Sequence, residues 1–134
     1  MAKTDARISL RELNRATLAR QLLLERAAMT PVAAVEQLIG MQAQEARPPF
    51  IGLWSRLRDA RRDEMIRAIN ARRLVRATLM RGTIHLFSAA DYRAFRPAIQ
   101  PVLDRTISVL GSRSEGLDAE RVLPAAYALL AENP

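Results

Sequence analysis

The sequence predicts a mainly α fold with a small β-hairpin, of winged-helix or helix-turn-helix type. Three observations carry that expectation. Apolar residues recur at helical spacing along most of the chain. The β-rich residues gather in two adjacent runs, 74–80 and 83–88, split by Arg81-Gly82. Two helical segments joined by a short polar turn stand directly ahead of those runs, and helix, helix, hairpin is the order of a winged helix.

Each element has its own signal. A first helix is expected over about residues 10–28, where Leu10, Leu13, Thr17 and Leu24 recur on one side, as do Leu18 and Leu22. Arg11, Arg15, Arg20 and Arg26 fall mostly elsewhere. Thr30-Pro31 reads as an N-cap followed by a first-turn proline. The second helix that starts there has Val32, Val35, Leu38 and Ile39 as its apolar stripe and Gly40 as its stop. Pro48-Pro49 pushes Arg47 towards an extended backbone. A third helix fits residues 50–58, with Phe50, Leu53, Trp54 and Leu57 on one side. After a turn at 59–62, Asp63-Glu64 open a fourth, with Met65, Ile66 and Ile69 buried. The hairpin follows with a two-residue loop, although Arg-Gly is a less common turn pair than Asn-Gly. Leu74, Arg76, Thr78 and Met80 share one face of its first strand; Val75, Ala77 and Leu79 share the other.

Beyond the hairpin, residues 89–95 and 97–110 read as two helices, the second interrupted early by Pro101. The expected organisation is a winged-helix-type N-terminal domain over 1–110, a polar linker over 111–116, and a helix within 117–134 leading towards a further region. Asn133-Pro134 is a turn-initiating pair.

Composition narrows the function classes. With 134 residues, 49% of them hydrophobic, the chain can bury a stable core. Cysteine is absent and histidine occurs once, which excludes a disulfide framework and leaves no ordinary zinc ligand set. No metal or other cofactor is expected. No apolar run approaches the ~20 residues that span a bilayer, and the first residues lack the apolar core of a signal peptide. A soluble, cytoplasmic protein is therefore expected, nucleoid-associated when bound, with no membrane partner. The net charge of +7, from 21 basic and 14 acidic residues, favours a polyanion. Lys3 is the only lysine. Arginine suits phosphate forks and guanine edges, although a GC-rich genome produces the same bias.

The segment Met41-Gln42-Ala43-Gln44-Glu45 is the first chemical candidate. If Gly40 ends the second helix, residues 42 and 44 alternate as in a strand and project to the same side. If the helix runs through, they diverge by about 200°. From the periodicity alone, ordinary solvated glutamines at a helix end are the favoured reading.

These residues sit within segments of recognisable kind. LNRATLARQLLLERA, VEQLIGMQAQEARPPFIGLWSRL and LVRATLMRGTIHLFSAADYRAFRPAIQPVL resemble, in order, the bacterial winged-helix DNA-binding domain family that contains the AlkZ/YcaQ-type DNA glycosylases. The resemblance covers about residues 10–103 and implies an N-terminal portion of a longer protein, built of several winged-helix units around a concave DNA-binding surface. It implies double-stranded DNA as partner and a catalytic glutamine–hydrophobic–glutamine signature at Gln42, Ala43 and Gln44, with alanine a small version of the middle residue. The implied reaction is hydrolysis of the N-glycosidic bond of alkylated or crosslinked bases, carried out by the full-length protein and not by this portion alone.

Glutamine does not titrate, so it serves neither as general acid nor as general base. An N-alkylated purine is already cationic and leaves without protonation. Placing a water is what remains, and a carboxamide pair can do that by accepting and donating. Glu45 is the nearest carboxylate, though a solvated pairing with Arg47 is its commoner role. Arg47, Arg72, Arg73, Arg76 and Arg81 are the candidate DNA contacts, with Arg81 at the wing tip; solvated edge protection is the ordinary alternative for charges on strands. His85 shares a strand face with Thr83 and Phe87 and fits a partly buried structural role, yet it stays a candidate DNA contact because it lies in the resembling run. Trp54 is expected in the core, and the scarcity of aromatics points away from extensive base stacking. The alternative readings are a non-enzymatic winged-helix regulator and an arginine-rich protein-interaction module.

Overall fold

A computed structural model describes residues 7–109, 111 and 115–132. The expected linker at 111–116 lies in part, and Asn133-Pro134 wholly, outside the described residues. The order of elements is α1 (Leu10–Arg20), α2 (Pro31–Gln37), β1 (Met41–Gln42), α3 (Pro48–Arg56), α4 (Arg62–Asn70), β2 (Leu74–Thr78), β3 (Ile84–Ser88), α5 (Ala89–Val109) and α6 (Ala119–Glu132). The fold is mainly helical with a small antiparallel sheet, in keeping with the expected class. The chain divides into two compact units, Met1–Ile99 and Gln100–Pro134, the division falling within α5.

The first helix, of 11 residues, ends well short of the expected span. It starts on a reciprocal capping box, in which Ser9 accepts from the Glu12 N–H while the Glu12 carboxylate accepts from the Ser9 N–H. It stops at Arg20 because the chain turns left-handed at Leu22 (φ 56°). The Leu22 and Leu23 N–H groups then donate to the carbonyls of Ala19 and Leu18, a Schellman end without the usual glycine. The apolar stripe read for this helix covers no core, since none of its residues is buried; Leu22, just past its end, is.

The tail instead runs to α3, where Ala27 forms a parallel bridge with Leu57. Arg56 Nε donates to the Gln21 carbonyl (2.8 Å) and Arg58 Nε to the Arg26 carbonyl (2.9 Å). Thus two arginines serve as backbone clamps.

Helix α2 begins as predicted: the Thr30 hydroxyl accepts from Ala33 N–H, and Pro31 occupies the first turn. It too ends in a Schellman pair, Ile39 N–H to Glu36 and Gly40 N–H to Val35. Ile39 takes the left-handed position at φ 54° and Gly40 follows at φ 94°. Glycine is required at 40 for a second reason. A Cβ there would lie 2.5 Å from Cε1 of Phe87, a fully buried ring.

Arg47 is helical (φ −78°, ψ −43°), not extended, because its carbonyl accepts from the Phe50 N–H in the opening turn of α3. The buried faces of α3 and α4 are also rotated from expectation. Pro49, Leu53 and Leu57 are buried, whereas Trp54 is 58% exposed, with the Arg26 guanidinium 4.5 Å above its ring. On α4, Met65 and Ala68 are buried and Ile69 is exposed.

The hairpin has the expected two-residue loop. Arg81 and Gly82 both have positive φ (54° and 68°), and the Thr83 N–H donates to the Met80 carbonyl, which makes a type I′ turn. Thr78 pairs with Ile84, so Leu79 and Met80 together face Thr83. That one-residue bulge ends the simple alternation of faces. The sheet has a third strand: β3 is central, flanked by β2 and by β1.

After the hairpin the two expected helices are one. Ser88 caps α5 by accepting from the Asp91 N–H (3.1 Å) while its hydroxyl donates to the Asp91 carboxylate. The helix then runs through Pro97 and Pro101. In the second unit, α6 is capped by Asp118, whose carboxylate accepts from the Arg121 N–H; its apolar residues, Tyr127 and Leu130 among them, are exposed.

Candidate functional site

The Gln42–Gln44 segment lies on the strand branch of the sequence reading. Gly40 turns the chain out of α2, and Met41 and Gln42 pair with Leu86 and His85 of β3. Ala43 continues the ladder by donating to the Ile84 carbonyl (2.8 Å). Its methyl points into the hydrophobic core with 1% exposure, while Gln42 and Gln44 on either side are exposed. The period of two therefore puts both carboxamides on the surface and the small residue inside.

The two glutamines differ in what they have free. Continuing the ladder would give the Ile84 N–H the Ala43 carbonyl as partner. It donates instead to Oε1 of Gln44 (3.2 Å). A backbone N–H needs an acceptor, so this bond fixes the amide orientation and leaves the Gln44 amino group, with two donors, facing away. The Gln42 carboxamide has no hydrogen-bond partner among the described residues.

The Ala43 carbonyl is taken by Arg76. From β2 this arginine donates Nε–H to the Ala43 carbonyl (2.8 Å) and Nη2–H to the Gln44 carbonyl (2.9 Å). Its fork thus closes on the backbone of the glutamine segment. His85 is 3% exposed, with Nδ1 3.0 Å from the Thr83 carbonyl and its ring tilted 38° against Phe87. A carbonyl only accepts, so in that contact Nδ1 serves as the donor. His85 is the cross-strand partner of Gln42, beside it in the sheet, and is buried and not on an open surface.

The other candidate arginines are exposed, and none of Arg47, Arg72, Arg73 and Arg81 makes an ion pair among the described residues. Arg47 borders a cleft of about 450 Å³ shared with Ala46, Phe50, Ile51 and Arg62. Arg72 and Arg73, at the end of α4, line a second cleft of about 330 Å³ with Arg93 from the first turns of α5. Arg62 and Arg93 escape the sequence reading. The first sits in a stretch read as a turn, and the second is one arginine in a helix, brought to the cleft by the fold alone. Glu45 is exposed and makes no ion pair with Arg47 among the described residues. No helix among the described residues is long and apolar enough to cross a membrane.

The chain is similar in sequence and in fold to known proteins. A family model for DNA glycosylase AlkZ-like proteins matches residues 35–134. Among solved structures, the chain is similar to the DNA glycosylase AlkZ of Streptomyces sahachiroi, with 26% identity and a TM-score of 0.58. That match covers 62% of this chain and 22% of the other, so the chain spans under a quarter of that structure's length. Among curated proteins there is no match. The family match takes in the Gln42–Gln44 segment, the sheet and the helices that follow it, three quarters of the sequence; the chain belongs to the AlkZ-like DNA glycosylase family.

Proposed function

We propose that this chain is the DNA-contacting and water-positioning part of a DNA repair glycosylase, acting on N-alkylated or crosslinked bases in double-stranded DNA. The observation that supports it best is the pair of exposed carboxamides around a buried alanine, in a chain of a glycosylase family.

The glutamines divide the work. Gln44, its carbonyl held by the Ile84 N–H, offers donors to the attacking water oxygen or to the sugar. Gln42 offers a carbonyl that accepts one water proton and aims the oxygen at C1′ of the deoxyribose. The glycosidic bond breaks with its electron pair passing to the base nitrogen, which neutralises the cationic leaving group. The new C1′–O bond forms from water, and the surplus proton goes to solvent. No side chain has to titrate. The effect on rate comes from placement, where an error of about 1 Å costs about 10²-fold.

Arg47, Arg72, Arg73 and Arg81 supply phosphate contacts, with the type I′ turn presenting Arg81 at the tip of the hairpin. Each phosphate neutralised releases counterions, so binding should weaken linearly in log–log with salt. The test is incubation of the full-length protein with a duplex carrying 7-methylguanine, scored for abasic sites. Excision that disappears in the Gln42→Ala/Gln44→Ala protein, with binding retained, supports the reading. Binding without any excision by the unaltered protein would make it a regulator.

A further inference from the structure

Arg76 stands among the basic residues that a charge count assigns to DNA, but its geometry gives it another task. We infer that Arg76 is a positioning residue for the Gln42–Gln44 pair and not a phosphate contact, an inference that rests on the glycosylase reading above. In the sheet, Arg76 is opposite Leu86 of β3, and Leu86 is opposite Met41 of β1. The side chain therefore starts two strands away from the segment it holds, about 10 Å at the usual strand spacing. A shorter side chain does not cross that gap.

The consequence for Gln44 follows from hydrogen-bond accounting. The Ala43 N–H keeps its ladder bond to Ile84 (2.8 Å), but its carbonyl is turned to Arg76 Nε (2.8 Å). This leaves the Ile84 N–H without its backbone acceptor, and an unpaired amide in a sheet is costly. The Gln44 side chain fills the place with Oε1 (3.2 Å), while Nη2 of Arg76 holds the Gln44 carbonyl (2.9 Å). Arg76 thus ends strand β1, draws Gln44 back onto β3, and fixes which end of its carboxamide faces outward. Lysine cannot reproduce this, because its point charge lacks the planar fork that meets two carbonyls at once.

The test compares Arg76→Ala and Arg76→Lys in the full-length protein with Arg81→Ala and with the Gln42→Ala/Gln44→Ala double variant. Single-turnover excision from a 7-methylguanine duplex and affinity across a salt series are measured for each. Both Arg76 variants are expected to lose about 10²-fold in excision rate with the slope of affinity against salt unchanged. Arg81→Ala should weaken affinity and reduce that slope by about one. Full excision by Arg76→Lys, or a fall in salt slope matching Arg81→Ala, overturns the inference.

Amide exchange at Ile84 supplies a readout that does not need activity. Protection of this N–H should fall in Arg76→Lys, which keeps charge and stem if Arg76→Ala fails to fold, and unchanged protection again overturns the inference. If the double glutamine variant excises normally, the glycosylase mechanism fails instead, whatever the Arg76 variants do.

Discussion

Adding one methyl group at Gly40 should destabilise the protein far more than adding it at Gly82, although both glycines have positive φ (94° and 68°). Two effects are common to the pair. A side chain in the left-handed region costs about 1–2 kcal/mol. Restricting the unfolded chain returns about 0.4–1 kcal/mol. At Gly82 a new Cβ meets nothing within 4 Å, so these are the whole effect. At Gly40 it would lie 2.5 Å and 2.8 Å from two carbons of the Phe87 ring. That ring has no exposure and cannot swing aside without disturbing the core. Overpacking of this kind adds about 1–3 kcal/mol. Urea denaturation of the 134-residue chain should therefore place Gly40→Ala about 1–3 kcal/mol below Gly82→Ala, with equal m-values. Agreement of the two variants within about 0.5 kcal/mol would refute the claim that the Gly40–Phe87 approach holds the turn leading to Gln42.

Other residues give separable outcomes. Replacing Arg81 by asparagine, which takes the left-handed conformation readily, should raise hairpin stability by about 0.5–1 kcal/mol while weakening DNA affinity and its salt slope, as melting and a salt titration would show. Its hydrogen bonds with the Ser9 hydroxyl and N–H lower the pKa of Glu12 from its ordinary value. A depressed carboxylate contributes stability above its unfolded pKa and loses it as pH falls through the folded one, so the start of α1 should fray on acidification below the ordinary glutamate range, read by amide exchange at Leu10–Arg20. Trp54→Ala should cost clearly less than the ~3–5 kcal/mol of a buried tryptophan, because more than half of the ring is already in water; a loss of that full size in urea denaturation would contradict its placement.

What the sequence reveals depends on how local its cause is. The Thr30-Pro31 start and the Arg81-Gly82 turn each follow from neighbouring residues, whereas the alternation of Gln42 and Gln44 about Ala43 is one of two courses the sequence leaves open, and the pairing with β3 decides it. The capping signatures Ser9-x-x-Glu12 and Ser88-x-x-Asp91 are equally local, and they place the starts of α1 and α5 without any tertiary information. The end of α1 is different. Leu22 adopts a conformation normally left to glycine, so no residue type marks that turn, whereas at the end of α2 Ile39 does the same but Gly40 directly after it still marks the stop. The exposure of Trp54 depends on the angle at which α3 meets the core, which its periodicity fixes only to within about one residue. Pro97 and Pro101 lie inside a helix that their missing N–H groups argue against. Least legible is Arg76, whose partners lie 32 and 33 residues away in sequence; charge alone sends it to DNA, and only the sheet register brings its fork to the backbone of the glutamine segment.

In the proposed mechanism two uncharged amides act together on one water. A double-mutant cycle in single-turnover excision addresses it directly, using Gln42→Ala, Gln44→Ala and both together. Groups acting as a unit are non-additive, so each single substitution should cost about 10²-fold and the double little more than the worse single. Losses that multiply, or a double variant that still excises at the original rate, would rule out joint action of the two amides.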